Sequence, residues 1–326
     1  MFSVRDFLHY YSRAQLGTRL RTWLRVLLLA LALTPASSWA RQSVLMVLSQ
    51  ESRPYQEFAS NLVKLLPAQQ WQFDTVLAEH YNPAAVQADL IVTVGTQAAR
   101  EVLKRPLHWP VLSVLIPQQT FTALSQQPAL SARLQQGLLS AIYLEQPVAR
   151  QLQLAKLISP TISQMGVVLG PNSHAQLPAI ETAIAALGWR QHVAKFKYNE
   201  NPIQLLDPLS ESSDAILVVP DKAEFNRSIS KWLLLLSYRR NIPLIGFSSR
   251  YVDAGATAAL FSSPVSIAQD TAAWLQRDDT QSLKLPPPAY PAFFEIRTSP
   301  QAAESIGLRL PSLEQIEVAM SRDSQP

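Results

Sequence analysis

The segment from Asp214 to Leu260 constrains the fold more than any other part of the chain. Residues 215–219 (AILVV) form a continuous apolar run, which is typical of a strand buried on both faces of a parallel sheet. A helix is predicted next, since apolar residues recur at one helical face, at Phe225, Ile229, Trp232, Leu233 and Leu236. A second apolar run follows at residues 244–247. Strand, helix and strand of these lengths predict a parallel βαβ unit.

The chain repeats this unit, so the repetition predicts the fold class. Further strands are expected at residues 43–49, 73–77, 89–95, 111–117, 165–170, 192–198 and 255–260. Helical patterns separate most of them, whereas residues 118–136 are expected to form a loop with a helical turn. At 326 residues the chain is longer than most chains that fold around a single hydrophobic core. We therefore predict an α/β protein with two doubly wound, parallel-sheet (Rossmann-like) lobes.

The first 40 residues have the order of features found in a secretory signal peptide. Arginines precede an apolar core at residues 26–33, and Ser38-Trp39-Ala40 places small residues where a signal peptidase cleaves. Such a core is too short to span a bilayer as an anchor. We therefore expect cleavage after Ala40 and a soluble periplasmic protein, with an uncleaved anchor as the alternative.

Composition argues against several classes of function. The five arginines and one aspartate of residues 1–40 carry the whole net charge of +4, so the rest of the chain is formally neutral. A neutral chain without a basic stripe argues against nucleic-acid binding. The lack of cysteine excludes thiolate metal sites and thiol nucleophiles, and the histidines lack metal-binding spacing, so no cofactor or metal is expected. No GxSxG, P-loop or GxGxxG motif occurs, so we expect no enzyme.

Seven segments carry a family resemblance, and they extend through the chain after residue 40. They are residues 89–99 (DLIVTVGTQAA), 144–160 (LEQPVARQLQLAKLISP), 165–172 (MGVVLGPN), 215–221 (AILVVPD), 242–247 (IPLIGF), 251–260 (YVDAGATAAL) and 299–311 (SPQAAESIGLRLP). In this order they resemble ABC-transporter substrate-binding proteins of the periplasmic-binding type I superfamily. The subgroup that fits best includes tryptophan-binding components. One departure is Lys222, which stands where the family usually has Asn.

The resemblance implies two lobes joined by three crossings, with a small-molecule ligand held between them. We expect lobe one to combine residues 43–141 with 248–284, and lobe two to combine residues 142–247 with 285–320. It also implies a monomer that delivers a small polar, amino-acid-like ligand to an ABC permease at the inner membrane. A stand-alone periplasmic binding or sensor protein without a permease is the alternative, and a hydrolase is a more distant one.

Candidate ligand-binding residues follow from the predicted strand ends. In open parallel sheets, ligands bind beyond the carboxyl ends of the strands, where helix N-termini present free N–H groups. Neutral hydrogen-bonding side chains predominate there, with one carboxylate and one imidazole. In the first half of the chain these positions are Ser49, Gln50, Gly95, Thr96, Gln97 and Pro117. In the second half they are Asn172, Ser173, His174, Asp221 and Phe247.

Each of these residues has a structural role as an alternative. Asp221 can bind a ligand amine, or it can cap the following helix together with Glu224. Asn172 and Ser173 can hold a carboxylate, but both residue types are also common N-caps. Three aromatic residues can stack on a ligand or simply pack in the core, namely Tyr143, Phe247 and Tyr251. Taken together, the candidate ligand-binding residues suit a polar or zwitterionic small molecule.

Overall fold

The structure is a computed structural model, and it describes residues 41–197, 200–221, 223–277 and 284–323. The predicted signal peptide, Lys222 and the side chain of Glu224 therefore lie outside the described residues. Within the described part, none of the helices combines the length and the apolar character that crossing a membrane requires.

The first sheet contains five parallel strands in the order β2-β1-β3-β4-β5. The strands are β1 (Gln42–Leu48), β2 (Trp71–Leu77), β3 (Leu90–Val94), β4 (Val111–Ile116) and β5 (Leu139–Tyr143). Every residue of β3, β4 and β5 is buried, as expected of apolar strands covered on both faces. The helices of this half are α1 (Arg53–Leu65), α2 (Thr96–Leu103), α3 (Gln118–Ser125) and α4 (Pro128–Gln135).

The second sheet contains six strands in the order β11-β10-β9-β8-β6-β7. They are β6 (Gln164–Leu169), β7 (Arg190–Lys195), β8 (Ala215–Val218), β9 (Leu244–Gly246), β10 (Ala258–Phe261) and β11 (Glu295–Thr298). Only β11 is antiparallel among these described strands. The remaining helices are α5 (Val148–Ile158), α6 (Leu177–Ala186), α7 (Pro202–Glu211), α8 (Ala223–Arg240), α9 (Ser249–Asp253), α10 (Pro264–Leu275), α11 (Pro300–Ser305) and α12 (Leu313–Asp323).

Helices cover both faces of both sheets, and this confirms the predicted fold class. In lobe one, α1 and α10 bury apolar residues such as Phe58 and Ile267 on one face, while α2, α3 and α4 bury residues such as Phe121 on the other. In lobe two, α5, α6 and α12 cover one face and α7 and α8 cover the other. Each sheet is therefore the buried middle layer of a doubly wound lobe.

Two local predictions were wrong in the first half of the chain. The predicted loop at residues 118–136 contains the helices α3 and α4, which bury Phe121 and Leu130. Proline at the first position of α4 has a φ that suits a helix. This signal was overlooked because the segment is rich in polar glutamines. Strand β5 was missed, although its five residues are apolar or small and fully buried.

The predicted division between the lobes needs two corrections. Residues 248–284 were assigned to lobe one, but Ala258 and Ala259 pair with Ile245 and Gly246 in the second sheet. These small, fully buried residues allow β10 to lie against β9, so the chain leaves lobe two only after Phe261. Residues 285–289 were assigned to lobe two, but Ala289 forms a bridge with Ile142 beside β5 in lobe one.

The three crossings between the lobes can therefore be placed along the chain. Crossing 1 comprises residues 144–147, crossing 2 comprises residues 262–263, and crossing 3 comprises residues 290–294. Helix α10 after crossing 2 packs on α1 of lobe one, and α12 packs on α5 of lobe two. Both lobes are thus built from separated stretches of the chain.

Candidate functional site

The crossings connect those edges of the two sheets at which the strands have their carboxyl ends. Crossing 1 follows the end of β5 and leads into α5, and a helix that precedes a parallel strand starts at the carboxyl edge of its sheet. Crossing 2 likewise joins the end of β10 to the start of α10. Polar loops and helix N-termini of both lobes therefore gather beside the crossings, where ligands bind in open α/β sheets.

In lobe one, the predicted residues Ser49, Gly95 and Thr96 lie together at the start of α2. Ser49 Oγ accepts a hydrogen bond from the backbone N–H of Ala98 at 2.9 Å, so its hydroxyl caps the helix. Gly95 has φ 91°, and a Cβ there would lie 2.6 Å from Ser49 Oγ and 2.7 Å from the hydroxyl of Tyr55. Only glycine fits this close approach.

The other predicted residues of lobe one are more open. Thr96 is half-buried in the first turn of α2, and Gln50 and Gln97 are exposed. Pro117 is the N-cap residue of α3 and donates no backbone hydrogen bond. The side chains of Gln50 and Gln97 are therefore accessible to a solute.

In lobe two, Asp221 closes the turn after β6. Its Oδ2 accepts hydrogen bonds from the backbone N–H of Asn172 at 3.0 Å and from that of Ser173 at 2.7 Å. The hydroxyl of Ser173 donates to the same oxygen at 2.7 Å. The structure thus brings these three predicted residues together, but as an internal network rather than as free ligand-binding groups.

This network changes the interpretation of Asp221 and Ser173. Ser173 is 1% exposed, so its hydroxyl is inaccessible to a ligand carboxylate. The backbone donors of the turn already face a carboxylate, which would repel a second anion. Ser173 therefore serves a structural turn that Asp221 holds, whereas the side chain of Asn172 is exposed and its role in ligand binding stays a prediction.

The remaining predicted residues of lobe two are aromatic or imidazole groups. Nε2 of His174 is buried and has no hydrogen-bond partner among the described residues. Phe247 packs against Tyr251, with ring centroids 5.1 Å apart. Burial raises the pKa of Tyr251 to about 12, and its hydroxyl also lacks a partner within the described part of the chain. Phe247 and Tyr251 therefore act mainly as core packing beside the end of β9.

A single side chain, that of Gln146, contacts both of the other crossings from crossing 1. Its Nε2 donates to Ser262 Oγ at 2.8 Å and to the carbonyl of Phe293 at 3.3 Å. Arg150 at the start of α5 donates to Gln146 Oε1 and, at 2.9 Å, to the carbonyl of Pro291. Its guanidinium also lies 4.7 Å from the ring centroid of Phe294. Hydrogen bonds therefore tie the three crossings to one another.

Asp270 of α10 holds crossing 3 from the side of lobe one. Its carboxylate accepts the backbone N–H groups of Ala292 at 3.0 Å and of Phe293 at 3.1 Å. Burial raises the pKa of Asp270 to about 6, against the opposing effects of these two bonds and of the Arg150 charge. Burial lowers the pKa of Arg150, while the charge of Asp270 opposes that change. The buried carboxylate of Asp270 and the half-buried guanidinium of Arg150 thus stabilise each other's charge at the three crossings, which together form the hinge.

A second carboxylate, that of Glu145, lies on crossing 1. Its Oε2 accepts the backbone N–H of Gln118 at 3.0 Å. Oε1 of Gln118 accepts a hydrogen bond from the hydroxyl of Tyr290 at 2.7 Å, and the ring of Tyr290 lies 5.4 Å from that of Tyr143 in a T-shaped arrangement. One glutamine therefore positions both a carboxylate and an aromatic ring.

The hinge residues were missed in the sequence because β5 was missed. Gln146 and Glu145 follow that strand directly, as polar residues after a buried apolar run. A strand assigned to residues 139–143 would have placed both at a carboxyl end. Asp270 and Tyr290 carry no local signal, since only the fold brings them to the crossings.

A groove on lobe two lies outside this region, and the described residues provide no metal site. A groove of about 650 Å³ is lined by residues such as Ser237, Asp253, Arg297 and Gln301. It lies at the opposite edge of the second sheet, because β11 runs antiparallel and ends there. No cluster of His, Asp or Glu among the described residues could hold a metal ion.

Three solved structures are similar over most of the chain. A substrate-binding protein with adhesive properties from Clostridium difficile, in its ligand-free, open form, has a TM-score of 0.67 and 18% identity, over 84% of this chain and 97% of that one. The ABC domain in complex with L-Trp from Streptococcus pneumonia has a TM-score of 0.55 and 14% identity, over 84% and 98%. A conserved domain protein from Vibrio cholerae has a TM-score of 0.53 and 20% identity, over 85% and 97%.

Other comparisons give no match: no protein-family profile matches the chain, and no curated protein sequence does. At identities of 14 to 20%, the solved structures show a shared fold. The chain therefore has the two-lobe α/β fold of periplasmic-binding type I proteins, a fold that solute-binding proteins share.

Proposed function

We propose that this protein is an exported solute-binding protein, which captures a small polar ligand between its two lobes and delivers it to an ABC importer. One observation carries the proposal: three short crossings join the two sheets at the carboxyl ends of their strands. Such an arrangement forms a cleft at the place where open α/β sheets bind ligands. It also leaves the lobes free to move as two bodies about the crossings.

The proposed mechanism is closure about the hinge. A ligand that contacts both lobes makes its full set of contacts only in the closed form, so binding shifts the equilibrium towards closure. Gln50 and Gln97 of lobe one are exposed, and they supply polar contacts from that side. The hinge network around Gln146 keeps the crossings in register while the lobes move. Closure then creates the shape that a membrane permease recognises.

The ligand is proposed to be a small polar molecule, with amino acids as the first class to test. The similar domain from Streptococcus pneumonia is in complex with L-Trp, which supports this order of testing. We propose that the protein binds the solute without transforming it, because no nucleophile and base pair was recognised in the sequence. We also propose a periplasmic location, which rests on the signal-peptide features of residues 1–40.

A second candidate function is that of a stand-alone binding protein without a permease. The similar protein from Clostridium difficile is a substrate-binding protein with adhesive properties, so this fold occurs in a binding protein that also adheres. Uptake of the identified solute by cells with and without the gene separates the two. Loss of uptake supports the importer, and unchanged uptake supports the stand-alone protein.

The experiment that tests solute binding uses residues 41–326. Thermal unfolding is measured against a panel of amino acids, peptides, amines, nucleosides and sugars. A ligand at 100 times its Kd stabilises the folded state by about 2.7 kcal/mol, which gives a shift of several degrees. Small-angle scattering then tests closure, since the radius of gyration should fall with the ligand bound. A folded protein that binds no member of the panel would contradict the proposal.

A further inference from the structure

Glu145 is a carboxylate without a cationic partner among the described residues. It lies on crossing 1, two residues after the end of β5, and it is only partly exposed. Among the described residues, its side chain forms no ion pair with lysine, arginine or histidine. Its carboxylate accepts the backbone N–H of Gln118 at 3.0 Å, and the pKa of Glu145 is raised because burial outweighs this bond and the bond from its own backbone N–H. A desolvated carboxylate of this kind is stabilised by an incoming positive charge.

Aromatic rings border this carboxylate. Gln118 links Tyr290 to this carboxylate, because it accepts the Tyr290 hydroxyl at 2.7 Å and donates its backbone N–H to Glu145 at 3.0 Å. The pKa values of Tyr143 and Tyr290 are both raised, mainly by burial and also by the negative charge of Glu145. Tyr290 is 38% exposed, and Phe293 on the same crossing is 46% exposed. These exposed rings offer faces to a solute beside the crossings. Aromatic faces attract cations through their negative π-electron density.

The surrounding contacts hold the carboxylate and the ring of Tyr290 in place before a ligand arrives. Gln118 accepts the hydroxyl of Tyr290 with its side chain and donates its backbone N–H to Glu145. The backbone N–H of Tyr143 donates to the carbonyl of Ala289 at 3.0 Å, so β5 and the start of crossing 3 are joined directly. A preorganised charge loses little freedom when it binds an oppositely charged group.

Asp221 is the carboxylate that the sequence had suggested for a ligand amine. Glu145 differs from it in how far its oxygens are already engaged by the protein. Asp221 already accepts three hydrogen bonds from Asn172 and Ser173 through one oxygen. A ligand cation there would compete with groups that maintain the turn. At Glu145, in contrast, a cation would supply a charge that the described residues do not provide.

We propose that Glu145 and Tyr290 form a cation subsite at the hinge, which holds a protonated amine or quaternary ammonium group of the solute. The ring of Tyr143 is buried and packs against that of Tyr290, so it positions the exposed ring. The ligand is thus a small organic cation, or a zwitterion that presents its cationic nitrogen to the hinge. This inference rests on the proposed solute-binding function, since it names the class of ligand for the same cleft. It assigns the cation to the hinge rather than to the turn held by Asp221.

Glu145 could instead serve only as an acceptor for the first N–H of α3, so the test must separate charge from hydrogen bonding. Glu145→Gln keeps an oxygen that can accept from Gln118 and removes the negative charge. Glu304→Gln is the matched control, because it removes one negative charge from an exposed position on α11, outside the hinge. Tyr290→Leu removes the exposed aromatic face and keeps the carboxylate.

The experiment measures binding of charge-matched pairs to residues 41–326 by calorimetry. The probes are choline with 3,3-dimethylbutan-1-ol and tryptamine with tryptophol, together with putrescine, L-lysine, L-tryptophan and the sugars and nucleosides of the panel. We expect the tightest probe to carry a cationic nitrogen and to lose about 30-fold or more in affinity in Glu145→Gln. Tyr290→Leu should lose about 2- to 30-fold. Glu304→Gln should bind as the unchanged protein does.

The outcomes separate the inference from the function on which it rests. If a cationic probe binds equally to the unchanged protein and to Glu145→Gln, the cation subsite is wrong and solute binding stands. The same holds if only neutral or anionic probes bind. If no probe binds to the folded protein, solute binding itself is contradicted and the subsite falls with it. If Glu145→Gln does not fold, Tyr290→Leu decides, and an unchanged preference for cations over their neutral analogues then overturns the proposal.

Discussion

Nε2 of Gln146 lies 2.8 Å from Oγ of Ser262, so a side chain of crossing 1 donates a hydrogen bond to a side chain of crossing 2. The two residues are 116 positions apart in the sequence. The same amide donates to the carbonyl of Phe293 on crossing 3. These two bonds connect crossing 1 to crossing 2 and to crossing 3. Because displacing one crossing would strain its bonds to the others, we expect the three crossings to move together.

The first prediction concerns this connection. Gln146→Met and Ser262→Ala each remove the shared hydrogen bond, so their effects on the free energy of unfolding should not add. We expect a coupling energy of about 0.5–1.5 kcal/mol, the usual contribution of one such bond. Denaturant unfolding of the two single variants and the double variant measures it. Strict additivity would show that the side chains do not interact in solution.

The second prediction concerns the pH dependence that Asp270 confers. Its pKa is raised to about 6 in the folded chain, above the ordinary value of 3.8, so folding favours its protonated form. Its contribution to stability is therefore fully present below about pH 4 and is lost as the pH rises through 6. The free energy of unfolding, relative to that of Asp270→Asn, should fall by up to about 3 kcal/mol between pH 4 and pH 7.

Denaturant unfolding of both proteins across that pH range measures this difference. The difference between the two stabilities is more informative than either curve, because the contributions of the other carboxylates, which titrate in the same range, cancel in it. A difference that stays constant from pH 4 to pH 7 would place the pKa of Asp270 at its ordinary value. The two backbone hydrogen bonds and the charge of Arg150 would then fully offset the effect of burial on that pKa.

The third prediction concerns the close approach at Gly95. Gly95→Ala places a Cβ 2.6 Å from Ser49 Oγ at a φ of 91°, so the backbone at the start of α2 must shift. Gly188→Ala is the control, because Gly188 has a φ of 72° and nothing within 4 Å of a new Cβ. We expect Gly95→Ala to cost about 1–3 kcal/mol more than the control. Thermal or denaturant unfolding measures both, and equal costs would count against the packing shown here.

The fourth prediction concerns Asp221. Its loss was expected from the sequence to cost little more than a helix cap, but the structure gives it three hydrogen bonds within the turn. We now expect Asp221→Ala to lower the free energy of unfolding by about 2–4 kcal/mol, and Ser173→Ala by about 1 kcal/mol. Denaturant unfolding tests both values. A stable Asp221→Ala that has lost solute binding would restore the original role.

The fifth prediction concerns processing of the N-terminus. The charged stretch, the apolar core and Ser38-Trp39-Ala40 predict cleavage after Ala40, which leaves Arg41 as the first residue. Intact mass measurement of protein from the periplasmic fraction checks the position. Recovery of the chain with Met1 in the membrane fraction would support the uncleaved anchor instead.

The fold was predictable because it depends on patterns that are local in the sequence. Residues 215–218 are apolar throughout and residues 111–116 are apolar except for Ser113, and both runs are fully buried strands of parallel sheets. The lobe boundaries were less predictable, because Ala258 and Ala259 suit a strand in either sheet. Their place beside β9 depends on pairing with Ile245 and Gly246, which no local pattern encodes.

The candidate site was predictable only in part, for the same physical reason. Strand ends located Ser49, Gly95 and Asp221 at the correct edges of the sheets. Whether such a residue is free to bind depends on its neighbours: Asp221 is engaged by a turn 48 residues away. Glu145 acquires its tyrosine neighbour from residue 290 through the fold alone. Spacing along the chain does not report these contacts.

The separated stretches that build each lobe also determine the order in which the protein can complete its folding. The strands of lobe one are all synthesised once residue 143 has been made, but α10, which covers one face of that sheet, ends at residue 275. At about 5–20 residues per second, roughly 7 to 26 seconds of translation separate the two events. During that interval the apolar face with Val44 and Val92 has no cover from α10. Until α10 has been made, α1 is the helix of the described fold that covers this face, so the packing of lobe one is completed only late in synthesis.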